Sequence, residues 1–119
     1  MGHLSTHVLD TMHGCPAAGM QVTLLRLDAA GGVTLLETVA LNADGRSPGG
    51  ALLEADAMAS GRYRLLFAVG DYFRRRGVSL PDPAFLETVP VEFGMADALG
   101  HYHVPLLVSP WAYSTYRGS

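Results

Sequence analysis

The sequence predicts an all-β sandwich with one short helix. Three observations carry that prediction. Short apolar–polar alternating runs recur along the chain, turn formers separate them every ~8–12 residues, and a single stretch has helical punctuation. The 119 residues fit one domain, residues 1–119. A chain of that length buries about two-thirds of its unfolded surface on folding, enough for one core.

The first strand candidate is Leu4–Asp10, with Leu4, Thr6 and Val8 on one face and Ser5, His7 and Leu9 on the other. A loop punctuated by Gly14, Pro16 and Gly19 follows. Met20–Asp28 is the next strand, and its apolar phase slips between Leu24 and Leu25, which suits a bulge. Val33–Leu41 returns as a hairpin partner with Val33, Leu35, Val39 and Leu41 in phase. Asn42-Ala-Asp-Gly-Arg46 is a turn, in which Gly45 can take the positive φ that tight turns require.

A short segment at Ala51–Glu54 leads into a clear strand, Arg62–Val69, with Tyr63, Leu65, Phe67 and Val69 on one face. Asp71 reads as a helix N-cap and Gly77 as the stop. Arg74, Arg75 and Arg76 then form a solvated last turn, where the helix dipole favours positive charge. After a loop holding Pro81 and Pro83, Thr88–Met95 alternates cleanly, with Val89, Val91, Phe93 and Met95 inward. His101–Ser109 follows with Tyr102, Val104, Leu106 and Val108 inward, and Ser109-Pro110 turns the chain into a terminal strand.

Hydrophobic residues make up 49% and charged residues 16%, with a net charge of −3. That balance excludes a surface that attracts nucleic acid or membrane by charge, and it suggests that other subunits cover part of the chain. Cys15 is the sole cysteine, so no intrachain disulfide can form. No apolar run reaches membrane-span length and no signal pattern opens the chain, so the expected location is cytoplasmic.

Opposite the inward residues of the penultimate strand lie His101, His103, Pro105 and Leu107. A face mixing histidine, proline and leucine reads as the lining of an interface or pocket. Ser5, His7 and Leu9 have the same character, and if the two strands share a sheet, His7 and His103 share its outer face. His3 and His13 are expected in solvent and His101 in a structural or exposed role. Histidine suits water activation near neutrality, and a neighbouring arginine would hold it neutral and stabilise charge on a substrate oxygen. A zinc site from the His101/His103 pair with His7 as third ligand is the weaker reading, because no carboxylate accompanies the pair and an arginine in the pocket would oppose a dication.

Four segments together resemble the 5-hydroxyisourate hydrolases, transthyretin-related enzymes of purine catabolism. They are Leu4-Ser-Thr-His-Val-Leu-Asp10, Asn42-Ala-Asp-Gly-Arg46, His101-Tyr-His-Val-Pro-Leu-Leu107 and the terminal Tyr113-Ser-Thr-Tyr-Arg-Gly-Ser119. Gly70-Asp-Tyr-Phe73 also fits, and the chain departs from the pattern at Cys15, where relatives often carry a basic residue. The resemblance implies two four-stranded sheets with a short helix after the fifth strand. It also implies a homotetramer, a dimer of dimers with active sites at the dimer–dimer interface. By the same resemblance the catalytic set is His7, Arg46, His103 and Ser119, and Tyr116, Arg117 and Gly118 join His7 and Arg46 in binding substrate. No metal or organic cofactor is implied. The carrier branch of the family, which binds small aromatic ligands, lacks the His/Arg/His set and the terminal Tyr-Arg-Gly-Ser. Alternation places Ser114, Tyr116 and Gly118 on one face of the tail, so Tyr116 is expected beside His103.

Overall fold

The computed structural model describes residues 1–118, and Ser119 lies outside the described residues. Nine strands form two sheets. The first sheet runs β2 (Cys15–Pro16), β1 (His3–Asp10), β8 (His101–Val108), β9 (Tyr113–Thr115), with β5 (Leu53–Glu54) also paired to β1. The second runs β4 (Val33–Ala40), β3 (Gln21–Leu27), β6 (Gly61–Phe67), β7 (Val89–Met95). The helix α1 spans Val69–Arg75. The two-residue β2 shares the outer edge of β1 with β5, which makes the first sheet five-stranded where four strands were expected. With β2 set aside, α1 follows the fifth strand.

The alternation of the sequence is the burial pattern of the sandwich. Leu4 and Val8 from β1 meet Val22 and Leu24 from β3, and all four are fully buried. Tyr63, Leu65 and Phe67 of β6, Val89 and Met95 of β7, and Tyr102, Leu106 and Val108 of β8 complete the interior. The slip expected between Leu24 and Leu25 is a register shift in the β3–β4 pairing. β4 is the edge strand of its sheet and is exposed along almost all of its length. Val33 and Leu35 are therefore exposed, against their in-phase reading, while Leu41 is buried.

One reading around α1 is corrected and another is extended. The helix begins at Val69 with Ala68 at the N-cap, so Asp71 sits in its first turn and does not cap it. Burial decides this start: Val69, Tyr72 and Phe73 share an apolar stripe facing the sandwich. The arginine run is a solvent-facing helix end, as read, with Arg75 and Arg76 exposed and Arg74 half-buried, and it also makes specific bonds. Arg74 forms a two-pronged pair with Glu87 at 2.9 Å on each oxygen. Arg75 donates to the Gly19 carbonyl, and Arg76 donates to the Tyr72 hydroxyl and the Cys15 sulfur. Each arginine fastens the helix to a different neighbour.

The far end of β1 is tied to α1 through Asp10, which is fully buried. Its carboxylate accepts the His13 backbone N–H at 2.9 Å and the Tyr72 hydroxyl at 2.8 Å, and meets His13 Nδ1 at 2.6 Å. Burial alone would push the Asp10 pKa up, but these hydrogen bonds outweigh it and hold the carboxyl below its ordinary value of 3.8. Burial and the Asp10 charge push Tyr72 up to about 12.

A carboxylate with a lowered folded pKa adds stability above its unfolded pKa and loses it as pH falls through the folded value. Asp10→Asn should therefore cost about 1–3 kcal/mol at neutral pH. Its melting temperature should also depend less steeply on pH below 3.8 than that of the wild type. Thermal denaturation of both proteins across roughly pH 2–7 measures the two effects.

Candidate active site

The site is built on the outer face of the β1–β8 pair. The two strands run parallel and in register over their whole length, so facing residues emerge on the same side. His3 stands opposite His101, Ser5 opposite His103, and His7 opposite Pro105. Ser5 Oγ lies 2.8 Å from His103 Nδ1. The His3 and His101 rings lie 4.3 Å apart, and His101 Nε2 reaches the Met1 carbonyl at 3.0 Å.

A turn brings in the arginine. Asn42 Oδ1 accepts the backbone N–H groups of Asp44 and Arg46 at 2.9 and 3.2 Å, curling the segment tightly. Gly45 has φ +73°, and a Cβ there would sit 2.6 Å from the Val8 carbonyl oxygen. Only glycine meets both conditions. Because the turn can press against β1, the Gly45 carbonyl accepts the Val8 N–H at 2.9 Å and Arg46 forms a bridge with His7.

The tail pairs along the other edge of β8. β9 pairs with β8 from Val108↔Tyr113 to Leu106↔Thr115, and the bridge His103↔Gly118 keeps the same register. Pro105 has no N–H, so the ladder breaks opposite Tyr116, and the Thr115 hydroxyl takes the Pro105 carbonyl at 2.7 Å instead. The Gly118 N–H donates to the His103 carbonyl at 2.7 Å. A Cβ on Gly118 would lie 2.6 Å from His103 Cδ2, so the glycine allows the tail to cross the imidazole.

On this face lies an open cleft of about 350 Å³ lined by His3, Ser5, Arg46, His101, Tyr102 and His103. His7 adjoins it through its bridge to Arg46. Desolvation, then the charges of Arg46, His7 and His3, hold His103 below its ordinary pKa of 6.5. The ring is thereby held toward its neutral form. Among the described residues, no three His, Cys, Asp or Glu side chains converge as a metal-ligand set. A larger open cleft of about 550 Å³ lies between the β3–β4 strands and α1, but the arginines at its rim are already engaged with Glu87 and Gly19.

Of the residues singled out from sequence, His7, Arg46 and His103 come together, and Gly118 lies against the His103 ring. Tyr116 is 61% exposed and stands opposite Pro105. Arg117 turns to the other side of the tail, its guanidinium 4.4 Å over the Tyr102 ring and bonded to the His101 carbonyl at 3.1 Å. Ser119 lies outside the described residues. Ser5, His3 and His101 were not counted as site residues. Alternation had already put Ser5 on the face of His7. What was missing was the parallel register that sets it against His103.

The family model described as HIUase/Transthyretin matches residues 4–118. The chain belongs to this family. Among members of the HIUase/Transthyretin family, the 5-hydroxyisourate hydrolase of Mesorhizobium japonicum is 58% identical over 118 residues, covering 99% of this chain and 93% of that protein. The crystal structure of an (S)-allantoin synthase superposes with a TM-score of 0.93 at 44% identity, covering 99% of this chain. The chain spans only 44% of that synthase's length. Transthyretin from Sparus aurata superposes with a TM-score of 0.85 at 28% identity, over 97% of this chain and 95% of that one. The family thus carries this sandwich in both hydrolase and transthyretin members.

The electrostatic coupling at the site is testable without substrate. Arg46 depresses the His103 pKa, so Arg46→Ala should raise it. An NMR titration of the His103 ring protons in both proteins measures this, and an unmoved or lowered midpoint would contradict the coupling.

Proposed function

We propose that this chain is a 5-hydroxyisourate hydrolase acting in urate catabolism. It opens the six-membered ring of 5-hydroxyisourate at the N1–C6 bond and yields 2-oxo-4-hydroxy-4-carboxy-5-ureidoimidazoline. The observation that carries the reading is the full-length likeness to a protein of that name, 58% identical over 99% of this chain. The meeting of His7, Arg46 and His103 around one cleft supports it.

In this reading water attacks the C6 carbonyl, helped by an imidazole of the His7–His103 pair that accepts its proton. Arg46, at the cleft and without an ion-pair partner among the described residues, polarises the carbonyl and stabilises the charge that builds on its oxygen. The C6–N1 bonding pair passes to N1, which takes up a proton. Ser119 and Tyr116 serve the substrate ring from the tail, and Gly118 gives the tail its close approach to His103. We further propose a homotetramer whose subunits cover the open side of the cleft, and a cytoplasmic location. Among the described residues, no helix is long and apolar enough to cross a membrane.

The second reading is a carrier of small aromatic ligands, favoured by the fold likeness to transthyretin. Urate and urate oxidase generate 5-hydroxyisourate, whose decay is followed by ultraviolet absorbance. Adding this protein should accelerate that decay, and unchanged decay would favour the carrier. His7→Asn should lower kcat by about 10²–10⁴, the usual loss when a proton-transfer group is removed. A His7→Asn protein of native assembly and full turnover would remove His7 from the mechanism. Truncation after Tyr113 should abolish turnover.

A further inference from the structure

We propose that Ser5 sets the tautomer of His103: its hydroxyl donates to Nδ1, so the ring proton resides on Nε2 and His103 meets the substrate as a neutral hydrogen-bond donor. The substrate part of this inference rests on the hydrolase reading. The tautomer is a property of the protein itself.

Three features of the geometry lead there. Ser5 is only 9% exposed, and His103 Nδ1 is the hydrogen-bond partner of its Oγ among the described residues. If Ser5 accepted from an Nδ1–H, its own hydrogen would have no protein acceptor among the described residues. A buried donor without a partner costs more than an unused lone pair, so the hydroxyl donates. Next, the ring has few free edges. Gly118 covers Cδ2 and Ser5 holds Nδ1, so Nε2 is the nitrogen left for the cleft, with no partner among the described residues. Finally, Arg46, His7 and His3 surround the ring and oppose its protonation, so it remains neutral while donating.

A neutral N–H beside the Arg46 guanidinium forms a two-donor cradle for the carbonyl oxygen of the scissile amide. His7 is then the proton acceptor. As the water oxygen bonds to C6, its proton moves to the His7 imidazole, the C6–N1 pair goes to N1, and that nitrogen is protonated in turn. His103 neither gains nor loses a proton across the step. Ser5 is a positioning residue: it touches His103 and not the reacting atoms.

The first measurement is the long-range ¹H–¹⁵N spectrum of histidine-labelled protein at a pH well above the His103 titration. Proton-bearing Nε2 with bare Nδ1 at His103 is expected, and the opposite pattern overturns the proposal. The second is kinetics. Ser5→Ala should lower kcat about tenfold, roughly the worth of one hydrogen bond, with KM changed by less than about twofold. Ser5→Thr, which keeps the hydroxyl, should restore kcat. Wild-type kcat in Ser5→Ala, or a Ser5→Thr as slow as Ser5→Ala, would also overturn it. Were Ser5→Ala to misfold, the wild-type spectrum and Ser5→Thr still decide. If the chain leaves 5-hydroxyisourate untouched, the hydrolase reading falls, and the spectrum judges the tautomer alone.

Discussion

The parallel pairing of β1 with β8 is the constraint on which both the core and the site depend. It joins residues nearly a hundred positions apart over eight facing pairs, from His3↔His101 to Asp10↔Val108. Closing so long a loop costs entropy that grows only slowly with length, and the apolar faces of the two strands offset it. The Thr6 hydroxyl adds a buried bond to the Val104 carbonyl at 2.7 Å. Because side chains alternate with a period of two, a slip of one residue would turn Leu4 and Val8 outward. The same slip would put Ser5 opposite an inward residue and dissolve its contact with His103. Core packing therefore fixes the geometry of the outer face without any outer residue having to stabilise it.

Onto this pair the chain fastens two segments that could not hold their place alone. The Asn42–Arg46 turn and the tail each reach the site through a glycine that permits backbone approach. Gly45 lets a carbonyl reach β1, and Gly118 lets an N–H reach β8. The two devices are mirror roles: one delivers a charge to His7, the other clears space over His103. Pro105 sharpens the second. By withholding an N–H it interrupts the ladder midway along the tail, so the terminal residues dock by the Gly118 bond and by Arg117 on Tyr102.

What the sequence disclosed follows from the range of each interaction. Period-two alternation is local, so β1, β6, β7 and β8 and their inward faces were legible, as was the bulge at Leu24–Leu25. The outer placement of His7 and His103 was legible for the same reason. Partners distant in sequence were not. Nothing near Arg74, Arg75 or Arg76 announces Glu87, Gly19 or Cys15, so the run's exposure was legible and its bonding partners were not. The helix start was misjudged because Asp71 is a good cap by type, while the burial of Val69 is a tertiary fact. Ser5 is the sharpest case. Its face was evident, but a serine acquires a role only from the atom opposite, and that atom comes with the register.

The proton affinity of His103 links these levels. Desolvation is the largest influence lowering it, and the charges of Arg46, His7 and His3 act in the same direction. Each of these is set by backbone geometry: the tail supplies cover, the turn supplies Arg46, and β1 supplies the two histidines. The cleft remains open on one side in the single chain. A neighbouring subunit closing over it, as in the proposed tetramer, would remove more water from the ring and press its pKa lower still. It would also strengthen Arg46 as a partner for negative charge, since the same drop in polarity magnifies every charge interaction inside. In the proposed tetramer, assembly and catalysis would thereby be coupled through one physical quantity, the water left around His103.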